Sequence, residues 1–338
     1  MAASLRQVAE EAAVSQATAS RVLSGNGAEL FSPDTRRRIE EVARRLGYRP
    51  NHSARTLATG RSGLITLWSY PPYQSFFSLV LAEMQRQAQE KGIGLLVADI
   101  SVRQMSRKVL ASAVWPSDGI LALDCGNWAD EVFDARPTAK TPVVSLGTSC
   151  IAETDAVRLD LSGAFSEATN HLLSQGCRRI AYVSRFDQGV TTLSSNVFIA
   201  PREAYAAEMA KAGLKTELVP LTVASLDTAR AAAIAHVHEH GCPDAFLCRN
   251  DDLAIGVYRA MSELGIAVGK DVLLVGCDGI EVTRFMPCAI STILLPVEKM
   301  CSLAWQLMEQ RLAQPDAELR VETLTAVLEV RASSQRGG

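Results

Sequence analysis

Apolar residues recur with helical spacing at the start of the chain and with a strand-like texture after residue 63. Leu5, Val8, Ala9 and Ala12 follow the i, i+3, i+4, i+7 rule of an amphipathic helix. Ser4 and Gln7 stand where a capping box covers the orphan N–H groups of that helix's first turn. After a tight turn at Ala13-Val14, Ser15 caps a second predicted helix with Ala19, Val22 and Leu23 inward. The same spacing turns Gln16, Ala17, Ser20 and Arg21 outward. Ser32, Pro33 and Asp34 supply the cap, the N1 proline and the acidic first turn of a third helix. Its stripe is Ile39, Val42, Ala43 and Leu46, and Gly47 is placed to end it. Each helix is too short to persist alone, so the three stripes must bury one another.

Downstream, the pattern predicts strands at 63–68, 94–98, 119–123 and 142–146, with a helix at 79–91. A second set follows: helix 162–174, strand 179–184, helix 201–212, strand 217–220, helix 227–240, strand 245–248, helix 252–264 and strand 272–276. Continuous apolar strands alternating with amphipathic helices imply parallel sheets covered on both faces. Two such sets in tandem imply two Rossmann-like lobes with a cleft between them. The fold class is therefore α/β, with an N-terminal all-α helix-turn-helix head.

Charge divides the chain at the same place. Residues 1–61 hold 10 Lys+Arg against 6 Asp+Glu, a surplus of +4, while the remainder carries −7, within a total of −3. Basic side chains on phosphates release counterions, so a small basic head on an acidic body suggests a nucleic-acid reader coupled to something else. The eight cysteines are scattered without a C-x-x-C pair and are expected to be reduced thiols, mostly buried. No secretory leader pattern opens the chain and no apolar run reaches the ~18 residues of a membrane span, so a cytoplasmic protein is expected.

Two helices joined by a short turn and braced by a third form a helix-turn-helix, whose second helix fits the major groove. Gln16 suits a bidentate pair with adenine, and Arg21 suits guanine or a phosphate. Ser15, Thr18 and Ser20 suit phosphate or base hydrogen bonds, and Ser4 is counted with them among the DNA-facing hydroxyls. A small helical bundle with a merely solvated polar face is the alternative.

The run Val8-Ala9-x3-Ala13-Val14-Ser15-x2-Thr18-x-Ser20-Arg21-Val22-Leu23 is followed by Ser32-Pro33-x-Thr35-Arg36. Leu46-Gly47-Tyr48-x-Pro50-Asn51 and Ala54-Arg55-x-Leu57 come next. Together these anchors resemble the lactose/galactose-repressor (LacI/GalR) family. The resemblance implies that Gln16 and Ala17 occupy the main specificity positions and that Tyr48 and Asn51 contact the DNA backbone. It further implies that Asn51 opens a hinge helix that folds when two copies meet on the minor groove. There Ala54 lies in the groove and Leu57 wedges between central base pairs. The loop from Asn26 to Leu30 is about two residues longer than the family pattern leads one to expect.

Ligands of open α/β sheets gather at the carboxyl ends of the strands. Arg249-Asn250-Asp251 and Cys277-Asp278-Gly279 stand there, and Arg202 precedes a helix containing Tyr205. Asn250-Asp251-x2-Ala254-x-Gly256 and Val275-Gly276-x-Asp278-x-Ile280 resemble the family's effector domain, with its cleft like that of periplasmic binding proteins. The resemblance places Arg202, Asn250 and Asp278 among the effector-binding side chains. The stretch Tyr70-Pro71-Pro72-Tyr73-Gln74-Ser75-Phe76-Phe77 stands where the family usually has a Pro-x2-Ser-Asn-Pro-Phe-Phe-like loop. Its Tyr73, Phe76 and Phe77 either floor a sugar-like ligand or pack the lobe.

His236 and His240 have a metal-compatible i, i+4 spacing, but no acidic or Cys partner sits at a recognised offset, so neither metal nor cofactor is expected. No catalytic motif follows a strand, and the expectation is not an enzyme. The chain is expected to be a ligand-responsive repressor working as a homodimer or tetramer on a pseudo-palindromic operator. Its effector would be a sugar, a sugar derivative or a nucleoside-like molecule. The rivals are a stand-alone sugar-binding α/β protein and a DNA-compacting architectural protein. The expected domains are a helix-turn-helix at 1–50, a hinge helix and linker at 51–62, and an effector-binding and dimerisation domain at 63–332. The expected lobes are 63–158 plus 293–320 and 159–290 plus 321–332, with a disordered tail at 333–338.

Overall fold

The computed structural model describes residues 3–24, 30–48, 61–69, 75–99, 117–126, 129–134, 136–138, 140–185 and 196–336. They form two compact units, Met1–Gly63 and Leu64–Gly338.

In the first unit α1 (Leu5–Glu11), α2 (Gln16–Ser24) and α3 (Pro33–Arg45) bury one shared core. Val8, Ala9, Ala12, Ala19, Val22, Ile39, Val42 and Ala43 make that core, with Leu5, Leu23, Leu46 and Tyr48 packed against it. The predicted caps form: Ser4 and Gln7 close a capping box on α1, and Ser32 Oγ accepts from Thr35 N at 3.3 Å. Gly47 takes φ +65, the left-handed conformation that ends α3 without a Cβ penalty.

The second unit holds two six-stranded sheets. Its strands are β1 (Leu64–Ser69), β2 (Gly94–Asp99), β3 (Gly119–Leu123), β4 (Val143–Gly147), β5 (Asp155–Asp160) and β6 (Ile180–Arg185). They continue with β7 (Glu217–Leu221), β8 (Ala245–Cys248), β9 (Leu273–Asp278), β10 (Ser291–Leu294), β11 (Val321–Thr325) and β12 (Val327–Glu329). The strand orders are β11-β5-β4-β3-β1-β2 and β12-β10-β9-β8-β6-β7. Every pairing is parallel except β10 with β12.

The covering helices are α4 (Ser75–Glu90), α5 (Ala129–Asp134), α6 (Ser162–Ser174), α7 (Asn196–Lys211), α8 (Leu226–His240), α9 (Asp251–Glu263) and α10 (Val297–Ala313). Buried strands such as β3 and β4, apolar on both faces, are what a doubly covered parallel sheet requires.

The lobe boundaries differ from those expected. β10 belongs to the second sheet and β11 to the first, so the chain crosses between lobes after β5, between β10 and α10, and between β11 and β12. α10 packs on α4 and on β3, β4 and β5 of the first lobe, which locks the returning segment in place. Arg311 of α10 bonds Asp155 of β5 through Nε (2.7 Å) and Nη2 (3.0 Å). It also donates to the carbonyls of Pro315, Ala317 and Glu318, tying down the link to β11. Nor is the end of the chain a disordered tail at residues 333–336. Ser333 and Ser334 are fully buried; Ser333 Oγ donates to Leu274 O at 2.6 Å and accepts from Ser291 N at 2.8 Å.

Candidate nucleic-acid interface and ligand cleft

On α2 the side chains of Gln16, Ala17, Ser20 and Arg21 are exposed, opposite the buried Ala19 and Val22. Ser15 Oγ accepts from Thr18 N at 3.0 Å and lies 2.8 Å from Thr18 Oγ1, so both hydroxyls are engaged in capping α2. Ser4 is likewise committed to its cap, where Gln7 Oε1 accepts from Ser4 N at 2.8 Å. The helix therefore presents a small polar face around Gln16 and Arg21. Tyr48 is half-buried against the head's core, and its burial pushes the phenol pKa up. Asn51, Ala54 and Leu57 lie outside the described residues, as does the loop at 26–29.

In the second unit the polar residues collect at the carboxyl ends of the strands in both lobes, where parallel sheets leave room for a ligand. A groove of about 760 Å³ runs between the lobes beside Asp278 and Gly279, with Leu79 and Glu83 of α4 on its other side. Asp124 follows β3 with φ +54, and its Oδ1 accepts three hydrogen bonds. These come from Thr148 N (2.7 Å), Thr148 Oγ1 (3.0 Å) and Ser149 N (2.8 Å). Gly147 must be glycine beside it: φ is +107, and a Cβ there would stand 2.5 Å from Asp124 Oδ1. Burial pushes the Asp124 carboxyl up, while these donors and the charge of Arg249 from the other lobe pull it back.

Across the cleft Asp251 is fully buried in the first turn of α9. It accepts from Gly279 N (2.8 Å), Ile280 N (2.9 Å) and Thr292 Oγ1 (2.8 Å). It thereby pins the turn after β9 to β10. Asp278 ends β9 with φ +120. Burial first, then repulsion from Asp251, drives the Asp278 carboxyl well above the usual range, against the pull of Arg249. Burial also works against the charge on Arg249. Cys277, Tyr182, Asp278 and Asp124 outweigh it, and the net shift is upward.

The predicted ligand residues do not all converge. Asn250 spends its Oδ1 capping α9, accepting from Leu253 N at 2.9 Å. Arg202 lies half-buried inside α7, which starts five residues before the expected helix, and its charge reaches Tyr182. Of the two alternatives for Phe77, its burial matches packing of the lobe. α4 begins at Ser75, which turns Phe77 into the lobe core, with Phe76 stacked edge-on at 5.5 Å. Tyr73 lies outside the described residues. Arg249 is one of the strand-end residues expected near a ligand, whereas Asp124 and Asp252 are not among the ligand contacts expected from the sequence. Their positions directly after β3 and β8 are the signal that finds them.

His236 is committed elsewhere: its Nε2 lies 2.6 Å from Glu217 Oε1, and Arg179 Nη2 donates to the same oxygen at 2.7 Å. Among the described residues no group of His, Cys, Asp and Glu is arranged to hold a metal. The eight cysteines are free thiols, five of them buried, and burial raises their pKa values and blunts their reactivity. Among the described residues no helix is long and apolar enough to cross a membrane.

A capped helix-turn-helix with an outward polar second helix, carried with a two-lobed α/β unit, defines the class of DNA-binding receptors. Residues 4–51 match the model for bacterial regulatory proteins of the lacI family, and residues 169–334 match the periplasmic binding protein-like domain. The chain thus carries the DNA-binding domain of the lacI family of bacterial regulatory proteins together with a periplasmic binding protein-like domain. The transcriptional regulator AscG of Escherichia coli is 29% identical over 87% of each chain. The regulator PtxS of Pseudomonas putida is 27% identical over 98% of this chain and 96% of its own. The fold matches the lac repressor dimer bound to operator and the anti-inducer ONPF. The TM-score is 0.78 at 22% identity, covering 99% of this chain and 100% of that one.

Proposed function

We propose that the protein is a cytoplasmic, non-enzymatic repressor that binds a pseudo-palindromic operator as a homodimer and answers to a small hydroxyl-rich metabolite held between its lobes. The observation that carries this is the exposed Gln16-Ala17-Ser20-Arg21 face on a helix braced by two capped neighbours. Side chains of that kind at the start of a recognition helix reach base edges in the major groove. Solved structures of similar fold support the ligand reading, because one was determined with bound ribose and another in complex with lactose.

Two operator half-sites require two heads. An unpartnered apolar face on the second lobe supports a dimer: Phe285 is 77% exposed beside Val282, and Leu226, Tyr258 and Met286 line a groove close by. We assign that face to a second copy of the chain. Control follows by linkage. A ligand that favours one lobe arrangement changes the spacing of the two segments at 51–62, and with it the cost of folding them on DNA. A stand-alone sugar binder leaves the head unexplained, and an architectural protein leaves the cleft unexplained.

The test is Leu57→Ala, with operator fragments selected from random sequence by the wild-type protein. Removing an apolar wedge should weaken operator binding at least tenfold and leave non-specific binding within about twofold. Equal loss of both contradicts the hinge role.

A further inference from the structure

Two polar groups near the carboxyl ends of second-lobe strands lack, among the described residues, the partners that buried polar groups normally have. Arg249 Nε is buried without a hydrogen-bond partner, and its guanidinium makes no hydrogen bond to a described residue. Tyr182 is fully buried, stacked at 5.3 Å on Tyr205, and its hydroxyl is likewise unpartnered. Asp278, at the end of β9, lines the groove between the lobes. Register brings them together: Arg249 N donates to Val183 O at 2.9 Å beside Tyr182, β8 pairs with β9, which ends at Asp278, and Arg249 feels the charges of both. The first lobe contributes Asp124, whose Oδ1 is saturated by three donors while Oδ2 has no recorded partner among the described residues.

Tyr205 shows that this lobe satisfies a buried phenol when no ligand is needed. Its hydroxyl donates to Ile180 O at 2.7 Å and accepts from Glu217 N at 2.9 Å. By contrast the hydroxyl of Tyr182, one ring away, has no partner among the described residues.

The charges restrict what that partner is. Asp124, Asp251 and Asp252 each raise the proton affinity of Asp278, so a ligand carboxylate or phosphate beside it is opposed. An ammonium group is opposed by Arg249 itself. A hydroxyl donates to a carboxylate and accepts from a guanidinium or phenol at the same time, so a run of hydroxyls satisfies every unpartnered atom without adding charge.

We propose that Arg249, with Tyr182 beside it, is a ligand-contacting residue, and that with Asp278 and Asp124 it selects an uncharged polyhydroxylated effector over its acidic, phosphorylated or amino counterparts. This rests on the reading that the cleft binds a small molecule.

The experiment is a thermal-shift screen of the full-length protein followed by calorimetric titration. One arm holds neutral aldopentoses, aldohexoses, disaccharides and polyols; the second their uronic, aldonic and phosphate derivatives; the third amino sugars. At least one neutral compound should stabilise the protein, with its acidic and amino counterparts binding at least tenfold more weakly. Arg249→Met should weaken that compound a hundredfold or more. Tyr182→Phe, which removes one oxygen from a packed ring, should weaken it about tenfold while keeping a cooperative melt. Tighter binding by an acidic or amino member overturns the charge selection alone. Unchanged affinity in Arg249→Met, or in Tyr182→Phe should the first variant fail to fold, overturns the residue assignment. No shift in any arm removes the cleft reading, and this proposal with it.

Discussion

Ser75 and Asp252 clasp the two lobes together: Ser75 Oγ donates to Asp252 Oδ1 at 2.6 Å, and Ser75 N donates to Oδ2 at 3.1 Å. The carboxylate stands at two helix starts at once, in the first turn of α9 and before the first residue of α4. Helix N-termini carry partial positive charge, so one anion favours both. The resembling family pattern has proline where this chain has Ser75. Proline has neither an N–H nor a hydroxyl to give.

Ser75→Pro is therefore a mild test of the clasp, because the first position of a helix accepts proline. The expected result is a chain with nearly wild-type melting temperature and a larger radius of gyration by small-angle scattering in the absence of ligand. A scattering curve identical to wild type would show that the lobes do not depend on the clasp.

Arg311 and Asp155 make a different kind of contact, with side chains 11% and 3% exposed. Removing one member of a buried pair strands the other's charge, typically at a cost of about 3–5 kcal/mol. Arg311→Met should reduce the unfolding free energy by roughly that amount and loosen the α10–β11 link. Urea denaturation measures it; a loss below about 1 kcal/mol places the pair among ordinary surface bridges.

Asp278 sets a pH dependence whose sign is fixed by its raised pKa. In the unfolded chain its carboxyl releases a proton near pH 3.9, whereas burial keeps it protonated to higher pH in the fold. The folded state thus holds more protons through that window, and this contribution to stability is lost as pH rises through the folded pKa. Glu217 and Asp244, whose pKa values are lowered, act in the opposite direction, so a variant is needed to isolate the effect. Asp278→Asn should raise the melting temperature of the ligand-free protein more at pH 8 than at pH 5. An equal shift at both pH values contradicts a raised pKa at this position.

The head was almost wholly legible, because short helices announce themselves through caps and stripes. Ser4, Ser15 and Ser32 cap the helices expected of them, and the predicted stripes are the buried residues. Helix 162–174 and strands 119–123 and 245–248 likewise fall at the expected residues. β5 escaped because Asp155, Arg158 and Asp160 break its apolar run, and Asp155 is tolerated in the sheet through Arg311 and the Arg320 N–H, far along the chain. β11 and β12 are short edge strands with alternating or exposed faces, so no local pattern says which sheet each joins. In the cleft Asp278 stands at the expected strand end, but the unpartnered atoms of Arg249 and Tyr182 are facts of tertiary packing. The sequence leaves Phe76 and Phe77 open between ligand floor and lobe packing because helix α4 starts four residues earlier than its apolar spacing suggests.

The central claim is that residues before Leu64 are a DNA reader rather than a solvated helical bundle. Operator affinity measured across a salt series tests it most directly, comparing the full-length chain with a truncation that begins at Arg61. The account predicts tight, salt-sensitive binding by the full-length chain and only weak, non-specific binding by the truncation, since phosphate contacts release counterions. Equal, salt-insensitive binding by the two would contradict it.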